Sequence, residues 1–220
     1  MNLQRVLEPE VMDSFEEAQD YDEMDHREVN RVFVLDLLDF GDACGDVLDV
    51  GTGTAQIPVA LCQQQEDCRV MAIDLSINML DLARYNIEIA SLIDRIKLDH
   101  VDAKQLPYED QSFDAVISNS IVHHIPEPQV ALKEAVRVVK PGGILFFRDL
   151  MRPEQDADVT RFVQAYAAEE NDHQRQMFED SLRAALTLDE VRGLAESLGF
   201  ETATVQATSD RHWTWAAKRI

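Results

Sequence analysis

Basic residues are scarce in this 220-residue chain: 20 Lys and Arg stand against 42 Asp and Glu, a formal net charge of -22 at pH 7. Such a surface repels phosphate backbones and anionic membranes, so no nucleic-acid partner is expected. The same excess is also what an ordinary solvated surface carries to keep a protein in solution. Cysteine is sparse as well. Cys44, Cys62 and Cys68 are odd in number and form no C-x-x-C pair, which argues against a disulfide framework or a zinc knuckle and for buried free thiols. Long apolar runs are missing. None approaches the ~18 residues of a membrane span, and "MNLQRVLEPE" has no basic stretch leading into an apolar one. The expectation is a cytoplasmic protein with no membrane span. No internal repeat or low-complexity linker is evident, and 220 residues at 45% hydrophobic fit one sizeable domain with a small appended cap.

What is present alternates. β-rich runs occur at 46–51 (DVLDVG), 68–75 (CRVMAIDL), 96–103 (IKLDHVDA), 113–120 (FDAVISNS) and 142–150 (GGILFFRDL), with helical patterns between them near 55–66, 77–91 and 129–139. Strand and helix in strict alternation imply a parallel sheet with crossover helices on its faces. Ser76 is placed to cap the second helix, and "KPGG" at 140–143 ends the third. Thr187 and Glu190 make a capping box for "LDEVRGLAESLG", which Gly199 closes. The runs "FETATVQATS" and "HWTWAAKR" are joined too tightly for a crossover helix and should pair antiparallel. The fold class is therefore α/β: a Rossmann-like, doubly wound, seven-stranded and mostly parallel sheet with an antiparallel last strand. Residues 1–40, with an acidic segment at 8–28 and a helical "REVNRVFVLDLLDF", read as an N-terminal helical cap on a main domain of 41–220. Two charged amphipathic stretches at 153–185 interrupt the alternation and read as an insertion or helical lid.

The stretch "VLDVGTGTA" at 47–55 places two glycines between a first strand and a helix, where uncovered backbone at a helix N-terminus receives the polar part of a nucleotide-like ligand. A dinucleotide loop would need glycine at position 56, which is Gln56, and no Gly-Lys-Ser/Thr follows to make a P-loop. Asp74, at the end of the second strand, is placed to accept both hydroxyls of an adenosine ribose, a need common to nicotinamide and S-adenosylmethionine (SAM) cofactors.

Together with "AIDLS", "HVDAKQLPYEDQSFDAVISNSIVHHIPEP" and "VVKPGGILFFRDL", that stretch resembles the class I SAM-dependent methyltransferases over roughly residues 45–150, and again at "LTLDEVRGLAESLGF". The "LP", "SFD" and His-His-Ile-Pro segments are most similar to the small-molecule branch that includes quinone-biosynthesis enzymes. The resemblance implies SAM as cofactor and S-adenosylhomocysteine (SAH) as product. It implies that Asp49, Gly51 and Gly53 surround the methionine moiety, that Asp74 holds the ribose, and that Leu75 packs on the adenine. Asp102 with the Ala103 backbone would meet the adenine amino edge, and Asn119 would line the sulfonium end. Plainer roles stand beside these: Asp49 as a loop-fixing acid, Leu75 as core, Asp102 as a turn acid. The family loop reads G-x-G-x-G and this one ends in Ala55, which is tolerable if its φ stays negative.

On the acceptor side, His123 and His124 follow the fourth strand. Either is a candidate general base, or both hydrogen-bond the loop without touching substrate. "SNSIVHH" contains no acid, so no metal is expected. Arg148 and Asp149 are candidates to orient an acceptor or to serve in salt bridges. Tyr21, Met24, Phe162, Tyr166, Met177 and Phe178 are read either as an apolar wall or as packing, and Trp213 and Trp215 as core or as a homodimer contact. The leading reading is methyl transfer from SAM to a small, apolar or neutral acceptor. The alternatives are a SAM-fold protein that binds without methylating, a protein methyltransferase, and an NAD-dependent oxidoreductase.

Overall fold

The computed structural model describes residues 3–9, 14–23 and 27–220, without the side chains of Phe15, Glu17, Tyr21 and Glu23. Met24 and the Tyr21 side chain therefore lie outside the described residues. Helices α1 (Phe15–Glu23) and α2 (Arg27–Phe40) precede the alternating part. There β1 (Gly45–Val50), α3 (Gln56–Gln64), β2 (Cys68–Asp74), α4 (Ile77–Ile89), β3 (Ile96–His100), β4 (Phe113–Asn119), α5 (Pro128–Val138) and β5 (Val139–Leu150) follow in turn. The chain closes with α6 (Asp156–Tyr166), α7 (Asp172–Ala184), α8 (Leu188–Ser197), β6 (Val205–Ala207) and β7 (His212–Lys218).

The seven strands form one sheet in the order β3-β2-β1-β4-β5-β7-β6, with β1 parallel to β2 and β4, β2 parallel to β3, and β6 antiparallel to β7. The expected α/β sheet is present. Its order reverses between β1 and β4, the switch point at which such sheets bind ligands beyond the carboxyl ends of their strands. β6 is shorter than the run 200–209 suggested, because Thr202–Thr204 within it is a 3-10 turn.

Two compact bodies make up the chain. One comprises residues 11–119, 129–147 and 216–220. Its core is built by alternate apolar residues of the strands, such as Val47, Val70, Ala115 and Ile117, against the apolar face of α2, where Phe33 meets Phe146 edge-on at 5.2 Å between ring centroids. Cys62 and Cys68 are free and buried, whereas Cys44 is only half-buried. The second body comprises residues 1–10, 120–128 and 148–215. Phe162, Val159, Leu182 and Leu150 form its apolar cluster, joined by Leu3 and Phe178. Phe162 and Phe178 thus pack within their own body, as ordinary core. Tyr166 is exposed, with its hydroxyl donating to Asp210 and Arg211 stacked on its ring, while Met177 is half-buried. Trp213 and Trp215 are buried at 1% and 0% exposure, which decides for core over a dimer contact.

Local signals account for the boundaries. Ser76 accepts from the Met79 N–H and starts α4. Asn171 with Gln174 and Thr187 with Glu190 form full capping boxes at the starts of α7 and α8, and Gly199 takes φ +91° where α8 stops. Among the described residues no helix is long and apolar enough to cross a membrane.

Candidate active site

In the first body the expected cofactor residues collect at the carboxyl ends of four adjacent strands. Gly51 and Gly53, just beyond β1, take φ of +70° and +54°, a conformation that glycine adopts at no steric cost. The N–H groups of Gly51 and Thr52 both donate to the Ile73 carbonyl, which turns the loop over the end of β2. Asp74 holds it there: Oδ2 accepts from Gly53 N and Oδ1 from Ser76 N, each at 2.8 Å. Each oxygen keeps a further lone pair, so the carboxylate can still accept two hydroxyls. Burial raises the Asp74 pKa, and the Ser76 and Gly53 N–H groups work against that rise.

Asp49 is 2% exposed, and burial pushes its carboxyl up to about 7. The adjacent Thr52 favours the charged form but only partly offsets this, and the nearby Asp74 charge adds to the rise. Thr52 Oγ1 is buried against this carboxyl. A buried acid without a cation, beside open glycine backbone, fits a ligand that brings positive charge.

Ala55 departs from the expectation. Its φ is +60° and not negative, because the chain must turn left-handed to enter α3; in an L-residue other than glycine this costs roughly 1–2 kcal/mol. Ala55 is also fully buried.

Leu75 is half-buried, and its carbonyl accepts from His100 Nε2 at 2.9 Å. Asp102 serves its turn, with Oδ1 accepting from Lys104 N at 2.8 Å and pairing with the Lys104 ammonium. Ala103 is buried, and Asn119 is half-buried at the end of β4. Sequence reasoning missed a carboxamide network around the loop: Asn30 Nδ2 donates to Gln56 Oε1, and Asn86 Nδ2 donates to both Asp22 and the Thr54 carbonyl. Its signal was Gln56 itself, a polar residue ahead of the apolar run that fills the first two turns of the helix.

The histidines belong to the second body. Val122–His124 forms a 3-10 turn that buries His123 at 3% exposure. Asp149, fully buried, grips His123 twice: Oδ1 lies 2.5 Å from its Nδ1 and Oδ2 accepts from its backbone N–H at 3.0 Å. Burial pulls the His123 pKa down, but the Asp149 and Glu8 carboxylates outweigh it and the net direction is up. Asp149 moves the opposite way, below the usual range, since His123 outweighs its burial. His124 is held down at about 3 by burial and by the neighbouring His123, so it stays neutral. Arg148 makes no such grip. It is buried and donates from Nε to Thr214 Oγ1.

The unforeseen member is Glu8. Its Oε1 lies 3.5 Å from His123 Nε2 and 3.2 Å from His124 Nδ1. Arg5 keeps that segment in place by donating to the carbonyls of Ala184, His123 and Ile125. Burial raises the Glu8 pKa. Nothing short-range in the sequence links residue 8 to residue 123, so no spacing argument could have paired them.

A methyltransferase-domain family model matches residues 48–147, which hold the glycine loop, Asp74, Asp102 and both histidines. The chain thus carries a methyltransferase domain and is similar to the class I SAM-dependent methyltransferases. It is 33% identical to a demethylmenaquinone methyltransferase of Bacillus mycoides over 159 residues, 69% of this chain and 66% of that protein. It is 29% identical to the 27-O-demethylrifamycin SV methyltransferase of Amycolatopsis mediterranei, over 79% of this chain and 61% of that one. A solved putative SAM-dependent methyltransferase of Methanococcus maripaludis shares the fold with a TM-score of 0.72 at 20% identity, covering 98% of both chains. The chain spans between 43% and 66% of the length of the curated relatives it matches.

Proposed function

We propose that this methyltransferase-family chain transfers a methyl group from SAM to a small-molecule acceptor. The observation that carries the reading is the loop geometry. Left-handed glycines lie beside a buried, uncompensated Asp49, and the Asp74 carboxylate has lone pairs to spare.

In this reading Asp49, Gly51 and Gly53 receive the methionine end, whose ammonium supplies the cation that Asp49 lacks. Asp74 accepts the ribose hydroxyls, Leu75 packs on the adenine, Asp102 and the Ala103 N–H meet its amino edge, and Asn119 lines the sulfonium end. Bound SAM supplies an activated methyl group on a positively charged sulfur. Displacement at that carbon disperses charge, so the acceleration comes chiefly from holding acceptor, methyl and sulfur in line. An acceptor that must first lose a proton needs a base, worth ~10²–10⁴-fold. His123 is the better placed of the two histidines, because Asp149 fixes its Nδ1 and leaves Nε2 to take the proton. Acceptor selection is assigned to α6, α7 and the acidic N-terminal segment. The names of the relatives direct the first choice of acceptor toward hydroxylated, ring-bearing molecules such as a demethylated quinol.

Calorimetric titration with SAH and with NAD tests the cofactor reading: SAH binding in the micromolar range and no NAD binding is expected. NAD binding without SAH binding would overturn it. Transfer of labelled methyl from SAM to a panel of quinols, phenols and amines then tests the acceptor class.

A further inference from the structure

The cofactor reading leaves Glu8 and His124 unused. Among the described residues, Glu8, His123 and His124 are a group whose donor atoms all lie within 4.8 Å of one another. A tetrahedral zinc with bonds of ~2.0–2.2 Å sets its ligand atoms ~3.3–3.6 Å apart. Of the three edges, the one from Glu8 Oε1 to His123 Nε2, at 3.5 Å, has that length, and the one to His124 Nδ1, at 3.2 Å, falls just short of it.

Hydrogen bonding does not explain this convergence, because Glu8 Oε1 is buried and makes no hydrogen bond. The surroundings do what the outer partners of metal ligands do. Asp149 holds His123 Nδ1, which fixes the ring with Nε2 toward Glu8. Ser181 donates to Glu8 Oε2 and turns Oε1 inward, and the Pro9 backbone hydrogen-bonds His124. The lack of an acid within "SNSIVHH" counted against a metal. The carboxylate comes from a distant part of the chain instead.

We propose that Glu8 Oε1, His123 Nε2 and His124 Nδ1 bind a divalent first-row transition ion. Two imidazoles and one carboxylate suit Zn²⁺, Co²⁺ or Fe²⁺ and do not suit Mg²⁺ or Ca²⁺, which prefer all-oxygen sets. Three protein ligands leave one tetrahedral position open, the arrangement of reactive sites as opposed to closed structural ones. The fourth position takes an oxygen: water, or the hydroxyl of the acceptor if the methyl-transfer reading holds. The ion and the base role exclude each other at His123 Nε2, since one lone pair serves either.

Chelator-treated protein is titrated with ZnCl₂ by calorimetry and with CoCl₂ by visible absorption, comparing wild type with Glu8→Gln, His124→Ala and His173→Ala. His173 is exposed on α7, outside the cluster. One ion per chain is expected, with the tetrahedral cobalt spectrum lost in Glu8→Gln, affinity down at least tenfold in both cluster variants, and no change in His173→Ala. No saturable binding to wild type, or wild-type affinity retained in Glu8→Gln and His124→Ala, overturns the proposal. Circular dichroism identifies a variant that fails to fold, and the other then decides. SAH titration of the same samples keeps the two readings apart. Zinc binding without SAH binding removes the methyl-transfer reading and leaves the ion site; SAH binding without zinc binding does the reverse.

Discussion

Gln56 donates through Nε2 to Asp22 Oδ1 at 3.0 Å, so the residue standing where a dinucleotide loop would carry glycine is a tether between α3 and α1. Gln56→Gly would complete the G-x-G-x-x-G spacing and yet break that tether and the bond from Asn30. Hydrogen exchange should quicken across residues 15–23, and NAD should still not bind. NAD binding gained by this one change would show that the loop selects its cofactor by spacing alone.

Asp74 holds the loop through Gly53 and Ser76, and in the proposed reading it also holds the ribose. Asp74→Asn retains an acceptor oxygen and should weaken SAH less than Asp74→Ala, for which a loss of ten- to a hundredfold is expected from bonds to a charged group of ~1.5–3 kcal/mol. Calorimetry on folded variants reads this directly. Equal SAH affinity in wild type and Asp74→Ala would take the residue out of the site.

Asp49 makes the protein's stability fall as pH rises. Its folded pKa, about 7, lies above the unfolded value near 3.8, so the folded state holds the extra proton between those limits. The stabilisation is complete below the unfolded value and gone once pH passes about 7. In urea titrations the advantage of Asp49→Asn over wild type should grow by roughly 2–3 kcal/mol between pH 5 and pH 8. A cationic ligand reverses the preference, so SAH binding near pH 7 should release a proton, seen as a binding enthalpy that depends on the buffer.

The Asp149 carboxylate accepts from the His123 and Leu150 backbone N–H groups and sits against the His123 ring. Asp149→Ala strands all three inside the protein and should cost ~3 kcal/mol or more in urea unfolding. A loss under ~1 kcal/mol would mean that water reaches these groups.

Ala55→Gly should stabilise the chain by about 1 kcal/mol, the left-handed strain relieved less the added backbone freedom of glycine in the unfolded state. Thermal unfolding of the pair checks the sign.

The sheet was legible because its evidence is local. Strand runs and caps such as Ser76, Thr187 and Gly199 act over four residues, and the structure uses each as expected. Asp74 was legible for a similar reason: its distance from the glycine loop follows from the length of one strand–helix–strand unit. Ala55 went astray because a sequence does not state φ, and only the entry angle of α3 made it positive. The aromatic residues of 153–185 stayed open between two readings for another reason. Phe162 and Phe178 look the same in a sequence whether they face a ligand or their own helix pair, and burial decided for the latter. Glu8 was invisible because its partners are reached only through tertiary folding.

That separation also sets an order of events during synthesis. Glu8 leaves the ribosome early, but Ser181, which orients it, lies 173 positions later, and Ala184, which receives Arg5, lies 179 positions after Arg5. Contacts so far apart carry a large loop-closure cost and form late. The strands around the glycine loop, whose partners lie within some seventy positions of one another, can assemble on a nascent chain that still lacks the second body. The carboxylate–histidine cluster should therefore mature after the glycine loop, and a chain cut short before α7 is expected to hold its loop without the Ser181 and Ala184 contacts that seat Glu8 and Arg5.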